Sequence, residues 1–324
     1  MNIFIQVIYI FICFPYFRFL KIQNMISILI PIYNISVCEL VHCVHKQAVA
    51  LNIPFEIILI DDNSEQQWKE TNKQLSSLQN VEYKELTENI GRAKIRNLLA
   101  DTAQYSYLLF LDSDVKIYSE QFLQTYITHC QPNSVVYGGM LYDSIPPSPQ
   151  QRLRWIYGRK KECLSAKQRQ KNQYKSFNSI NFLIDKHVFD MTRFNETIST
   201  YGHEDTLFGF QLEQMHIPIL HIDNQVLHIN TATNKIFIEQ NKQAVENLYK
   251  MYRNSPKKTA FRRNIKLLRR FHFLEQLHLV NLVAACYTKH HERLREYIEK
   301  HSSLRLLNIL KISYLCFISK HYAK

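Results

Sequence analysis

The sequence predicts an α/β protein with a mostly parallel sheet flanked by helices, followed by a helical and basic C-terminal region. Short apolar runs alternate with segments of helical spacing from Ile26 onward. Several of these runs end abruptly in acidic residues. Such runs are typical of parallel strands that are buried on both faces. From about residue 233 the pattern is helical and rich in Lys and Arg.

Individual elements follow from this pattern. Strands are predicted over residues 27–33, 55–60, 81–83, 107–111 and 181–184, with one or two short strands within 219–229. Helices are predicted over residues 37–51, 65–78, 91–103 and 204–215. Residues 145–175 contain three prolines and then many basic residues, which indicates a long, mobile connection with one helix. The expected division is a catalytic domain over 25–232 and a helical region over 233–324.

Residues 1–24 form a separate N-terminal extension. Ile3 to Leu20 is mostly apolar but contains Gln6, Pro15 and Arg18. One interpretation is a single membrane anchor, which by the positive-inside rule leaves the rest of the chain in the cytoplasm. The other is that translation starts at Met25. Both interpretations place the catalytic part in the cytoplasm.

Composition excludes several functional classes. The 324 residues include only six glycines, and neither a P-loop nor a dinucleotide-binding motif occurs. The seven cysteines contain no C-x-x-C pair, so reduced thiols are expected. The net charge of +12 favours phosphorylated substrates, an anionic membrane or nucleic acid as partners, or it serves solubility alone.

Acidic residues follow two of the predicted strands. Asp61 and Asp62 follow one strand, and Asp112 and Asp114 follow another. Ligands of parallel sheets lie beyond the carboxyl ends of the strands. Clustered carboxylates repel one another unless a cation offsets their charge. The Asp112-Ser113-Asp114 motif therefore predicts a Mg²⁺ or Mn²⁺ site.

Five motifs together make the chain resemble the family-2 glycosyltransferases, which have the Rossmann-like GT-A fold. The resemblance covers roughly residues 26 to 230. The motifs are Ser27 to Asn34, Ile60 to Ser64, Asn89 to Asn97, Phe110 to Asp114, and Tyr201 to Asp205.

The resemblance implies a donor site and a metal site. The residues implied to bind the nucleotide-sugar donor are Pro31, Tyr33, Asp61, Asp62, Arg92, Asn97, Asp112 and Ser113. The implied metal ligands are Asp112, Asp114 and His228, with His221 as a competitor for the third position. The alternative for Arg96, and less so for Arg92, which follows Gly91, is a surface arginine on the helix.

Glu204 and Asp205 match the acidic pair that faces the acceptor in this family. By that match Asp205 is the general base, and Glu204 orients the acceptor or the donor sugar. The alternative is that both acids only complement the dipole of a helix that begins there.

The implied activity is inverting, metal-dependent transfer of one sugar at a time, from a donor such as a UDP-sugar to a glycan or a lipid-linked acceptor in cell-surface polysaccharide synthesis. Gln151 to Trp155 spells the Q-x-x-R-W motif of processive synthases, but it precedes the acidic pair, so we interpret the match as chance. A sugar-1-phosphate nucleotidylyltransferase is an alternative, although Ile30 to Asn34 lacks the Gly-rich loop of that chemistry.

The basic stretch 253–273 leaves a second alternative, a non-catalytic module that binds a membrane or nucleic acid. Basic and apolar residues alternate there in the pattern of an amphipathic helix. For an enzyme, this stretch predicts peripheral contact with the anionic inner face of the membrane and no nucleic-acid partner.

Overall fold

A computed structural model describes residues 25–198, 201–229 and 232–321 of the chain. The two interpretations of residues 1–24 lie outside the described residues. Within the described ranges, no helix combines the length and the apolar character that crossing a bilayer requires.

The strands and helices alternate along the first two thirds of the chain. The strands are β1 (Ile26–Ile32), β2 (Phe55–Asp61), β3 (Val81–Glu85), β4 (Tyr107–Leu111), β5 (Val115–Lys116), β6 (Val135–Tyr137), β7 (Met140–Leu141), β8 (Asn181–Asp185), β9 (Ile219–His221) and β10 (Val226–His228). The helices are α1 (Cys38–Leu51), α2 (Gln66–Lys73), α3 (Arg92–Thr102), α4 (Phe122–Thr128), α5 (Arg152–Lys161), α6 (Ala166–Gln170), α7 (Lys186–Thr192), α8 (Glu204–Gln214), α9 (Asn234–Asn254), α10 (Lys258–Asn264), α11 (Lys266–Gln276), α12 (Val280–His301) and α13 (Leu304–His321).

The central sheet has seven strands in the order β3-β2-β1-β4-β8-β6-β9. β1 pairs in parallel with both β2 and β4, and β8 pairs antiparallel with β4 and β6. A second sheet has the order β5-β10-β7. In it His228 pairs with Val115, the residue after Asp114, so the second sheet brings β10 to the end of β4.

The sheet forms where the sequence is continuously apolar. All residues of β4 are buried, and β1 is buried along almost its whole length, as expected of strands covered by helices on both faces. Phe110 of β4 stacks on Phe182 of β8 with ring centroids 4.8 Å apart. The predicted fold class, a mostly parallel sheet flanked by helices, is confirmed.

The C-terminal helices enclose a second hydrophobic core. Phe261, Leu268 and Phe271 are buried in it, whereas Phe273 is exposed. Leu153 of α5 also belongs to this core, so α5, which comes from the first part of the chain, packs against the C-terminal helices. Most of the apolar side of the basic stretch therefore faces the protein interior.

Two parts of the sequence prediction need correction. The short strands β5, β6 and β7 were not predicted, because two or three residues are too few to show a period. Residues 145–175 contain two helices, α5 and α6, and a capping box at Ser165 begins the second. Arg169 of α6 is buried and donates hydrogen bonds to the backbone oxygens of Gly138 and Ile222, so this connection is anchored to the sheet.

Candidate active site

Two adjoining cavities lie at the carboxyl ends of β1, β2 and β4. The larger has a volume of about 480 Å³ and the smaller about 220 Å³. The residues that line both are Tyr33, Arg92, Asp112 and Asp114. The two spaces therefore meet at the D-x-D motif, as the ligand rule for parallel sheets predicts.

The smaller cavity contains most of the residues predicted to bind the donor. Its lining includes Pro31, Tyr33, Asp62, Arg92, Asp112 and Ser113. Ile32 and Ile95 add apolar surface beside these polar groups. A pocket with apolar walls and a few charged groups at one end suits a nucleoside whose phosphates point toward the charges.

Asp62 holds the loop that leads into α3. Its carboxylate accepts hydrogen bonds from the backbone N–H groups of Ile90, at 2.7 Å, and Gly91, at 3.0 Å. Burial raises the pKa of Asp62, and these two hydrogen bonds act against that rise. Gly91 has φ +84°, a conformation that favours glycine. Asp62 thereby fixes the position from which Arg92 begins the helix.

Asp61 and Asn97, two of the predicted donor contacts, have buried side chains that line neither of the two cavities. Asp61 has no exposed surface and accepts a hydrogen bond from the backbone N–H of Ser64. Asn97 is 2% exposed and exchanges hydrogen bonds with the backbone of Phe194. Their side chains are occupied in holding the loops around the site.

Two arginines of α3 converge on Asp112. Arg96 is 2% exposed and hydrogen-bonds Oδ1 of Asp112, so it is not the surface arginine that one interpretation allowed. Arg92 lies 3.6 Å from Oδ2 of Asp112 and 3.4 Å from Glu204. Its guanidinium also lies 5.3 Å from the ring centre of Tyr201. Nearly half of the Arg92 side chain is exposed, which leaves it accessible to a phosphate.

Asp114 and His228 lie side by side at neighbouring strands of the second sheet. Oδ2 of Asp114 lies 3.4 Å from Nε2 of His228, and the imidazole stacks on Tyr142 with centroids 5.1 Å apart. Burial lowers the pKa of His228 although Asp114 opposes this, so the ring favours the neutral form that binds metals. His221, the competitor, is occupied, because its Nδ1 accepts from Arg169 and its Nε2 contacts the carbonyl oxygen of Gln173.

The candidate metal ligands at this point suit a cation that is also coordinated by a substrate. No group of three His, Cys, Asp or Glu side chains with the geometry of a metal site occurs among the described residues. The three predicted ligands Asp112, Asp114 and His228 all line the larger cavity, where Asp112 is also paired with Arg96 and Asp114 lies beside His228. Mg²⁺ in enzymes is commonly bound by one or two carboxylates together with substrate phosphates and water.

Glu204 and Asp205 begin α8 and line the larger cavity. Glu204 accepts a hydrogen bond from the backbone N–H of Gly202 at 3.0 Å and faces Arg92. Oδ1 of Asp205 is buried and has no hydrogen-bond partner among the described residues. Burial and the neighbouring Glu204 raise the pKa of Asp205 to about 7, against the opposing effect of Arg96. An acid with this pKa can exchange a proton near neutral pH.

Several residues of the larger cavity were not identified from the sequence. They include Arg154 and Glu162, which form an ion pair of 2.8 Å, and Lys311 of α13. Arg154 belongs to the stretch that we interpreted as a chance motif match, yet it lies in the cavity wall. Only its place in that motif could have identified Arg154 as a site residue from the sequence. Nothing in the local sequence distinguishes Lys311 from the other basic residues around it.

A parallel sheet with a D-x-D motif at the end of a central strand and a cleft beyond it is the architecture of glycosyltransferases that use nucleotide sugars. Residues 27–195 match the model of Glycosyl transferase family 2. This match covers more than half of the 324 residues, so the chain belongs to that family and is a glycosyltransferase. The resemblance predicted from the five motifs is thereby confirmed. A comparison with curated proteins gives no match.

Solved structures of low sequence identity share the fold. The crystal structure of S. aureus TarS has a TM-score of 0.50 and 16% identity over 89% of this chain, which spans 55% of the length of TarS. The TarS 1-349 complex with UDP-GlcNAc has a TM-score of 0.50 and 17% identity, covering 93% of this chain and 92% of that one. The mannosyltransferase PcManGT from Pyrobaculum calidifontis, in complex with GDP-Man and Mn²⁺, has a TM-score of 0.51 and 11% identity, covering 90% and 86%.

Proposed function

We propose that the protein is an inverting, metal-dependent hexosyltransferase that transfers one sugar at a time from a nucleoside-diphosphate donor, in the first instance a UDP-sugar. The acceptor is a glycan or a lipid-linked intermediate in the synthesis of a cell-surface polysaccharide. One observation carries the proposal. Asp114 and His228 line the same cavity as Asp205, the acid whose pKa is raised to about 7.

Asp205 supplies the base. An acceptor hydroxyl that enters the larger cavity hydrogen-bonds to the unpaired Oδ1 of Asp205 and loses its proton to this carboxylate during attack. The attacked anomeric carbon lies between Asp205 and the diphosphate, so attack from the side opposite the leaving group inverts its configuration. Glu204 keeps Arg92 in place beside the reacting groups.

Arg92 and the D-x-D motif stabilise the departing diphosphate. Arg92 lines both cavities, which places a guanidinium where the sugar and the phosphates of the donor meet. Asp112, Asp114 and His228 would hold a divalent cation, which when bound neutralises negative charge on the leaving group. The buried pair of Arg96 and Asp112 keeps the motif rigid beneath them.

The C-terminal helices carry the proposed contact with the cytoplasmic face of a membrane. Phe273, Leu277 and Leu282 are exposed apolar side chains on and after α11. Arg269 and Arg270 are exposed on the same helix. Exposed apolar groups beside basic ones are the composition that binds anionic lipid surfaces.

The proposal is tested with a panel of nucleotide sugars. Thermal unfolding in the presence of Mn²⁺ should show the largest stabilisation with the true donor, because ligands that bind only the folded state raise its apparent stability. Slow hydrolysis of that donor should disappear on addition of EDTA and in the Asp114→Ala variant. The absence of stabilisation by every nucleotide sugar, with the protein folded, would contradict the proposal.

A further inference from the structure

The C-terminal helical region forms one wall of the larger cavity. Gln240 and Asn241 come from α9, and Lys311 comes from α13. None of these residues lines the smaller cavity, which the nucleoside would occupy. The wall therefore lies on the side where an acceptor would enter, and the helices complete the site as well as packing beside it.

Lys311 is a half-buried cation without a carboxylate partner. Its Nζ donates a hydrogen bond of 2.9 Å to Oδ1 of Asn241. Among residues 25–198, 201–229 and 232–321, no Asp or Glu lies within ion-pair distance of it. Burial lowers the pKa of Lys311 to about 8, so the ammonium form still predominates at neutral pH. An ammonium group has three donors, and two of these remain after the bond to Asn241.

The two arginines that line the larger cavity both have acidic partners. Arg92 lies beside Asp112 and Glu204, and Arg154 pairs with Glu162. His203 does not add positive charge, because burial, reinforced by Lys311, lowers its pKa to about 3. An uncompensated charge on a partly buried side chain is costly, and an anionic ligand reduces that cost.

We propose that Lys311 and Asn241 form a subsite for an anionic group of the acceptor, a phosphate or a carboxylate, so that the C-terminal region selects the acceptor. This inference rests on the proposed function for its assignment to the acceptor. A charge-assisted hydrogen bond to either group would hold the acceptor in the larger cavity and present one of its hydroxyls to Asp205.

Three probes with a common sugar ring separate the kinds of anion: glucose, glucose 6-phosphate and glucuronate. Their dissociation constants are measured by calorimetry for the full chain and for Lys311→Gln. The control Lys320→Gln makes the same change of charge on the exposed side of the same helix. We expect an anionic probe to bind more tightly than glucose. We also expect this preference to fall about tenfold in Lys311→Gln, which is about 1.4 kcal/mol, and to persist in the control.

A second variant, Asn241→Asp, keeps Lys311 but gives it the missing carboxylate. The preference for the anionic probe should fall in this variant as well. Equal binding of all three probes to the unaltered protein, or an unchanged preference in both variants, would overturn the subsite.

Hydrolysis of the donor in the absence of acceptor separates this inference from the proposed function. It should be unchanged in Lys311→Gln, and a loss there would assign the anion to the donor and overturn the acceptor subsite. If no nucleotide sugar is bound or hydrolysed while the anion preference still depends on Lys311, the proposed function fails and the anion site itself remains.

Discussion

Oδ2 of Asp114 lies 3.4 Å from Nε2 of His228, although 113 residues of chain separate the two (228 − 114 − 1). We expect Asp114→Ala to abolish transfer and His228→Ala to weaken apparent Mn²⁺ affinity by about 10- to 100-fold, because each removes one of the proposed metal ligands. The measurement is donor turnover as a function of Mn²⁺ concentration. His221→Gln is the matched control, and an unchanged Mn²⁺ dependence in His228→Ala would rule out His228 as a ligand.

The raised pKa of Asp205 predicts the pH profile of the enzyme. Only the carboxylate accepts a proton, so kcat should rise with pH through about pH 7 and then level off. Asp205→Asn should lower kcat by about 10²- to 10⁴-fold and leave stabilisation by the donor intact.

Glu204→Gln provides a control for this assignment. Glu204 raises the pKa of Asp205, so removing its charge should move the rising limb of the profile to lower pH. A limb that stays in place in Glu204→Gln, or that persists in Asp205→Asn, would assign the pH dependence to another group.

The edge of the sheet was predictable from the sequence because its signals are local. Asp61-Asp62 and Asp112-Ser113-Asp114 each come directly after a continuous apolar run, and parallel strands of this kind end at the same edge of the sheet. Which of the adjacent acids Asp61 and Asp62 lines the cavity was not predictable from composition. Side chains alternate between the faces of a strand, and Asp61 at the end of β2 is directed into the protein whereas Asp62 lines the cavity.

The wall of the larger cavity formed by α9 and α13 could not be predicted, because it depends on packing between helices that are distant in sequence from the strand ends. Lys311 is one of many basic residues in a basic helical region, and only its position against α9 distinguishes it. Arg96 was also ambiguous. Helical spacing alone does not tell whether an arginine faces solvent or a carboxylate at the end of the next strand.

The buried pair of Arg96 and Asp112 predicts a stability effect. Arg96→Met should lower the free energy of unfolding by about 3 kcal/mol, because it leaves Asp112 without its buried partner. Arg92→Met is the control, since that side chain is 46% exposed and its ion pairs are worth less than about 1 kcal/mol. Urea unfolding measures both. Equal losses in the two variants would show that burial of Arg96 is not the cause.

Gly202 is a second position with a defined cost. It has φ +105°, and a Cβ there would lie 2.5 Å from Cβ of Ala244 on α9. Gly202→Ala should therefore destabilise the protein by about 1–3 kcal/mol. It should also lower transfer, because the displaced loop precedes Glu204 and Asp205. Adding Ala244→Gly should recover the part caused by the contact. No recovery in the double variant, measured by thermal unfolding, would assign the whole cost to the backbone.

The proposed membrane contact predicts binding to anionic vesicles. Replacing Arg269 and Arg270 with Gln should weaken binding to phosphatidylglycerol vesicles by roughly 30-fold, since each basic residue near such a surface contributes about 1 kcal/mol. Replacing Lys160 and Lys161 of α5, which are also exposed, makes the same change of charge elsewhere. Co-sedimentation over a range of salt concentrations measures the effect. If both pairs weaken binding equally, the attraction comes from the net charge of +12 and not from α11. Retention on neutral phosphatidylcholine vesicles would also contradict an electrostatic contact.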